Sequence, residues 1–531
     1  MEINRDSLPD DPTILKNMLA ELSLKYEEEQ SRYRELEDRF KILHKLHFGK
    51  KSEKITQEDT NQMVLFNEAE DGAYVSEEPD ENTEKQSIDN ITEVKSHSRK
   101  KPGRKPLPDN LPREERIYDL SDEEKKCQCC GSERPVIGKE ESEEMEIIPA
   151  QIKVIKHVQI KYGPCKCDES FNNDIPEIKT ASMPERMIPR SIAGPGMLAY
   201  VFVSKFADSL PFYRQSKIFK RIDADISRAT MCNWAIAAAE RCNDFIDLMI
   251  EEIRSGPLIQ MDETTVQVLH EPDRPPESKS YMWVAVGFPM KGCRLVLYQY
   301  HPTRSQKVPE EFLKNYRGYL QTDGYSGYNL AGSNLDIIHV GCFAHARRYY
   351  YRALELNKKS KAAFKGLSYI QKIYKIEEEV RTRNLSPENF LPERRKAVQP
   401  VLDDFHNWLL AQVDIILPES RTGKAIRYTL NEWDKLVRYL HHHLLTPDNN
   451  TVENAIRPFA LGRKNWLFSN TPRGAHSSAV IYSLVESARA NSLDPYKYLR
   501  YLFTFLPMAR IKDDLKKLLP YSVSNDMLNQ G

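Results

Sequence analysis

No apolar run in this chain approaches the roughly 20 residues that cross a bilayer. Nor does the opening stretch, Met1-Glu2-Ile3-Asn4-Arg5-Asp6, carry the apolar core of an export signal. A cytoplasmic protein with no membrane partner is therefore expected. Net charge is also missing: 77 Lys and Arg stand against 78 Asp and Glu, a formal balance of −1. That excludes a uniformly basic protein, but the charges are segregated. An acidic stretch from about Glu53 to Glu93 masks a basic cluster at Arg99, Lys100, Lys101, Arg104 and Lys105, and local patches decide phosphate binding. A disulfide framework is absent as well. Nine cysteines, an odd number with no export signal, argue for thiols and metal ligands.

At 531 residues the chain is too long for one core, and several units are expected. Residues 1–50 carry Leu15, Leu19, Leu22, Tyr26, Tyr33, Leu36, Phe40 and Leu43 at alternating steps of four and three, broken only by Glu29. Such a seam reads as a coiled coil joining protomers, or as one amphipathic helix packed on its own chain. Residues 51–113 form an acidic linker too poor in large apolar groups to order itself. It ends in Ser98-Arg99-Lys100-Lys101-Pro102-Gly103-Arg104-Lys105-Pro106. This resembles a loose AT-hook for a narrow minor groove, and reads equally as a solvated basic linker.

Residues 114–180 hold Cys127, Cys130, Cys165 and Cys167. Cys127-Gln128-Cys129-Cys130-Gly131 offers a two-residue knuckle in which paired thiolates grip Zn²⁺. An alternating strand through Ile152, Val154, Val158, Ile160 and Tyr162 would deliver Cys165. Only Lys166 separates the second pair, and Cys129 is a spare, so unliganded thiols are the competing reading. Residues 181–250 read as helical. Ser227 caps a helix that would offer Arg228, Thr230 and Asn233 to a major groove, in the manner of a helix-turn-helix. Helical pairs are common, and this signal alone is weak.

From Pro257 the texture changes to strands, at Leu258–Leu269, Tyr281–Gly287 and Arg294–Tyr300. A helix over Ser305–Tyr316 follows, then strands at Tyr319–Asp323 and Asp336–Val340. This order, over residues 256–345, matches a ribonuclease H-like core. Asp262 lies on its first strand and Asp323 on its fourth. Residues 346–446 read as a helical insertion, in which Arg394, Arg395 and Lys396 are expected on a solvated face or against DNA. Residues 447–510 return to the core with Asp448-Asn449-Asn450-Thr451-Val452-Glu453, followed by Arg457, Arg463 and Lys464; a tail occupies 511–531. Three converging acids hold Mg²⁺ or Mn²⁺, oxygen-seeking ions. Two such ions activate a nucleophile and stabilise the leaving oxygen of an in-line displacement on phosphate. Each acid also has a plain reading: Asp262 and Asp323 as turn acids, and Glu453 as the third residue of a capping box opened by Asn450. Cys342 and His345 have metal-ligand side chains without a second pair, and a fold-stabilising role is expected of them. Arg347 and Arg348 beside them are candidate DNA contacts.

The segments around Asp262, Asp323 and Glu453 resemble those of the insertion sequence 66 family of bacterial transposases, from the N-terminal helix to Leu518-Leu519-Pro520. The resemblance implies a DNA transposase of the acidic-triad class, with Asp262, Asp323 and Glu453 holding two Mg²⁺ or Mn²⁺ ions. Cleavage frees a 3′-hydroxyl at the element end, which then attacks target DNA. Arg457, Arg463 and Lys464 would hold phosphates, and the four-cysteine module would be the family's structural zinc finger. The expected partners are terminal inverted repeats, target DNA, a second copy of the chain and small accessory proteins of the same element; bound to DNA, the protein would sit in the nucleoid. A structure-specific nuclease on the same fold and a DNA-binding regulator derived from a transposase are the alternatives.

If the four cysteines share one ion, purified protein carries about one zinc and Cys165→Ser loses it; zinc content unchanged by that substitution, measured by metal analysis, rules out the four-cysteine set. If residues 13–48 form a coiled coil, the isolated segment self-associates in sedimentation, and Asp at positions 22 and 36 separates the chains. A segment already monomeric leaves only the single amphipathic helix.

Overall fold

The computed structural model describes residues 182–289, 292–329 and 336–529, with positions 11, 14, 16 and 152–158 and the backbone of two short strands. The heptad seam, the basic cluster from Arg99 to Lys105 and all four zinc-ligand cysteines lie outside the described residues. The chain divides into two units, residues 70–158 and the remainder. Of the first, only 152–158 are described, and these run without regular structure, with Val154 94% exposed. The strand expected from Ile152 is therefore not formed over 152–158: its apolar side chains have no face to cover. In the second unit a two-residue ladder pairs β1 (Lys161–Tyr162) antiparallel with β2 (Lys179–Thr180).

Four helices between Pro195 and Ser255 lead into the main sheet. In α1 (Pro195–Phe206) proline occupies the first turn, where no intrahelical N–H is needed. Leu198, Ala199, Val201, Phe202 and Phe206 bury nearly every face of it. Helix α2 (Phe212–Lys220) buries Phe212, Gln215 and Phe219 and leaves Arg214, Lys217 and Lys220 exposed. Helix α3 (Arg228–Arg241) begins where the Ser227 hydroxyl accepts the Thr230 N–H at 3.1 Å, the cap expected from its sequence. Helix α4 (Asn243–Ser255) leads through Gly256 into the sheet.

The sheet has five strands: β3 (Leu258–Gln267), β4 (Lys279–Gly287), β5 (Leu295–His301), β6 (Gly318–Gln321) and β7 (Ile337–Val340). Their spatial order is β5-β4-β3-β6-β7, with β4 antiparallel to both neighbours and β3, β6 and β7 mutually parallel. A short helix, α5 (Lys307–Phe312), supplies the crossover from β5 to β6, as a parallel connection requires. Register is set below the strand ends. The buried Gln260 side chain donates to Gln321 Oε1 at 2.8 Å, across paired positions of β3 and β6. Two residues beyond that pair, the same register brings Asp323 level with Asp262. Carried across β7, where Gln321 pairs with Val340, it brings Asp323 level with Cys342.

Helices then cover the sheet. α6 (Phe343–Leu356), α7 (Lys361–Thr382), α8 (Pro387–Val413), α9 (Arg421–Asn431) and α10 (Trp433–Val437) gather around Phe343, Tyr350, Ile370, Ile373, Leu402, Phe405 and Tyr439, a second apolar core. α11 (Asn450–Trp466) lies on β3 and β4, and α12 (Pro472–Ala490) lies on β5. Ser483 and Ser487, one helical turn apart on α12, accept the N–H groups of Tyr298 and Val296 at 2.8 and 2.9 Å. Those N–H groups belong to an edge strand and would otherwise be buried without partners. α13 (Pro495–Phe505), α14 (Lys512–Lys517) and α15 (Asn525–Asn529) close the chain. No helix among the described residues is long and apolar enough to cross a membrane.

One expectation for the helical region is overturned. Arg394 is not on a solvated or DNA-facing surface but fully buried. Its Nη2 donates to Glu377 Oε1 and to the Leu445 carbonyl, both at 2.8 Å, and its Nη1 to the Tyr439 carbonyl at 2.8 Å. Arg395 donates to the Leu440 carbonyl at 3.1 Å, and Lys396 stays exposed. Helical spacing alone does not reveal this burial, because the receiving carbonyls lie 45 to 51 residues away. Removing the cation leaves Glu377 and the carbonyls of Tyr439, His442 and Leu445 under-satisfied, so Arg394→Ala should cost about 3–5 kcal/mol. Chemical unfolding checks it: a change within about 0.5 kcal/mol is the surface result and contradicts the buried clamp.

Candidate active site

The three carboxylates come from the middle of β3, the turn after β6 and the first turn of α11. Asp262 is on β3, and its Oδ1 accepts the N–H of Glu263 at 2.8 Å. Burial holds the Asp262 carboxyl well above the usual carboxylate range; the charges of Glu263, Asp323 and Glu453 push the same way. Asp323 follows β6 by two residues and accepts the Tyr325 N–H at 3.0 Å, so the turn bond is made and one carboxylate oxygen is engaged in it.

Glu453 arrives from α11, but not as a capping acid. The helix begins at Asn450 with Asn449 as its cap, whose side chain makes no capping bond. Asp448 receives the Asn450 N–H at 3.1 Å instead. The expected capping box is not formed: the cap shifts to Asn449, which makes no capping bond, and the buried Asp448 settles the turn. Glu453 Oε1 lies 3.8 Å from His345 Nδ1, and Oε2 lies 3.6 Å from Arg348 Nη2. Oε1 and Nδ1 are both buried with no hydrogen-bond partner among the described residues.

His345 is the site residue that the sequence reading set aside. It stands in the first turn of α6, three residues after Cys342, which ends the row that begins with Asp262 and Asp323. The Cys-x-x-His spacing directly after a parallel strand was the available signal. Burial lowers the His345 imidazole below its usual value, Glu453 and Asp323 oppose that, and Arg348 and Arg352 reinforce it. Sγ of Cys342, a ring nitrogen of His345 and an oxygen of Glu453 lie within 4.8 Å of one another. Cys342 is packed differently from the other two. Its thiol is pushed far up by burial, then by Glu453 and Asp448, and accepts the Asn449 N–H at 3.4 Å. A neutral, bonded thiol serves the join between α6 and α11.

The remaining residues divide. Glu263 is buried in its own pocket, where the Arg304 guanidinium bonds Oε1 and the Tyr328 hydroxyl donates to Oε2 at 2.6 Å. Burial raises its pKa, and those two partners oppose the rise. Arg457 is half-buried, with Nη1 lacking a hydrogen-bond partner among the described residues. Arg463 ties the end of α11 to β3 by donating to the Thr265 carbonyl and, at 3.0 Å, to its hydroxyl. Lys464 is exposed. Arg347 stacks over Tyr374 at 5.6 Å, and Arg348 keeps 45% of its side chain exposed. Arg228 and Asn233 are exposed on α3, which packs on α12. Thr230 is half-buried, its hydroxyl 2.9 Å from that of Ser227.

Comparison with known proteins bears on what this arrangement is for. A family model described as "Transposase IS66 family" matches residues 190–477, and "IS66 C-terminal element" matches 483–521. Residues 124–168 match "zinc-finger binding domain of transposase IS66", a span that includes all four candidate zinc cysteines. Residues 35–116 match "Transposase C of IS166 homeodomain". Two curated proteins of Sinorhizobium fredii, both named as uncharacterized, are similar over most of their length. Protein y4jD is 30% identical over 80% of this chain and 83% of its own; y4qI is 28% identical over 92% and 88%.

The crowding of carboxylates has a cost that is measurable without DNA. A raised folded-state pKa means that Asp262 destabilises the fold progressively as pH rises from the ordinary carboxylate range towards its raised value. Asp262→Asn should therefore raise the melting temperature of protein held without added divalent cation. The gain should be largest at neutral pH and vanish near pH 4, where an ordinary aspartate is about half protonated. Melting curves across that range test it; a gain independent of pH contradicts the electrostatic origin.

Proposed function

The chain belongs to the transposase IS66 family, and on that footing we propose that it is a DNA transposase that cuts at insertion-sequence ends and joins them to target DNA. The observation that carries the reading is geometric: the β3–β6 register sets Asp323 level with Asp262, and Glu453 lies in the first turn of α11, which packs on β3. The strand order and directions support a ribonuclease H-like core, with α6 to α10 as its helical insertion.

The donor set fits divalent cations. Asp262, Asp323 and Glu453 would hold Mg²⁺ or Mn²⁺; Oε1 of Glu453 has no hydrogen-bond partner among the described residues. Two such ions supply activation of the attacking water or hydroxyl and charge neutralisation at the leaving oxygen. The chain's own residues do the rest. The Gln260–Gln321 bond keeps two acids level. Thr265 and Arg463 hold the far end of the helix that carries the third. Arg348, half in solvent beside Glu453, and Arg457 on the next turn are placed to meet phosphate oxygens, with Arg347 and Lys464 as further candidates. Arg228 and Asn233 on α3 would read element ends; the finger's zinc, the basic cluster and the N-terminal seam would add DNA contacts and pair the protomers.

The test is cleavage and strand transfer on the element's own ends with Mg²⁺ or Mn²⁺, with any accessory proteins of the element present. Asp262→Asn, Asp323→Asn and Glu453→Gln should each lose more activity than the 10- to 100-fold typical of outer-shell changes at a metal, while melting and DNA binding persist. Asp448→Asn keeps an oxygen to accept the Asn450 N–H, so it should leave stability nearly unchanged and turnover within about tenfold. Cutting without joining would favour a nuclease, and binding without either would favour a regulator. An active Glu453→Gln beside a dead Asp448→Asn would transfer the role to Asp448.

A further inference from the structure

His345 stands opposite Glu453 in a way that an ordinary hydrogen bond does not explain. Nδ1 and Oε1 are 3.8 Å apart, too far to bond each other. Each is nevertheless buried without any other hydrogen-bond partner among the described residues. Two facing orphans of this kind are costly unless something is bound between them. The separation suits a shared ion: it is shorter than about 4.2 Å, twice the ordinary Mg–O bond length, and longer than direct contact between donors. Cys342 completes the local cluster but is an acceptor of backbone N–H, not a free thiolate.

We propose that His345 Nδ1 is a nitrogen donor to the divalent ion held by Glu453, so that the site is a mixed imidazole–carboxylate set and not a purely carboxylate one. This rests on the reading of Glu453 as a metal ligand. It carries a chemical consequence of its own, because imidazole favours Mn²⁺ over Mg²⁺ more strongly than a carboxylate does. The chain anchors the donor twice: the parallel register sets the start of α6 at the acid end of the sheet, and the Phe343 N–H is held by the Pro447 carbonyl at 2.8 Å, one residue before Asp448.

The experiment is Mn²⁺ binding to the full-length, zinc-loaded protein, read by pulsed electron paramagnetic resonance, which detects ¹⁴N coupled to bound Mn²⁺. The expected result is an imidazole ¹⁴N coupling that becomes ¹⁵N when the protein is grown with ¹⁵N-histidine, without any substitution. Glu453→Gln should remove that bound ion. His345→Gln should lose the coupling and weaken Mn²⁺ roughly tenfold, the lower end expected for a site partner, with Mg²⁺ affected less. Glu453-dependent Mn²⁺ without histidine coupling overturns the proposal and leaves the carboxylate site standing. A histidine coupling that survives His345→Gln also overturns it. Mn²⁺ binding indifferent to both Glu453→Gln and Asp262→Asn removes the carboxylate site itself, and the proposal with it.

Discussion

The amide pair Gln260–Gln321 is the constraint on which the site depends. A bond between two buried side-chain amides on neighbouring parallel strands forms in one register only, and a slip by one residue would turn the slipped strand's side chains to the wrong faces. Gln321 also donates to the Thr446 carbonyl at 2.8 Å. One side chain therefore fixes the level of Asp323 against Asp262 and the approach of the segment that opens α11. Strand pairing and the position of the third acid are not independent features here.

The second support comes from the helical region. Arg394, wholly buried, binds the carbonyls of Tyr439, His442 and Leu445, and Arg381 donates to the same Leu445 carbonyl at 2.8 Å. These carbonyls lie just before Asp448. The segment from α6 to α10 is thus more than an inserted appendage: its buried charge holds the chain that delivers Glu453. A buried charge of this kind is a costly way to gain stability, and its value here lies in where it holds the backbone.

Much of this was legible in the residues. Leu258–Gln267 reads as a strand because its apolar and β-branched residues continue without a breaker, and the Ser227 cap is local chemistry. The level of Asp262 with Asp323 was only half legible. Both acids follow strand patterns, but the register that joins them rests on glutamines that look like ordinary polar residues. The cap of α11 was misplaced by one because the sequence offers Asn449 and Asn450 side by side, and the choice is made by Asp448. Arg394 and His345 were read as surface and scaffold for one reason. Their partners lie 17 to 51 and 108 residues away, and periodicity carries no information at that range.

The central claim is that this register gathers Asp262, Asp323 and Glu453 around divalent cation. Anomalous diffraction from crystals soaked in Mn²⁺ tests it most directly. The account predicts density bounded by the carboxylates of Asp262, Asp323 and Glu453, beside the middle of β3 and the end of β6. Mn²⁺ bound elsewhere in a well-ordered crystal, with these three carboxylates bare, would contradict it.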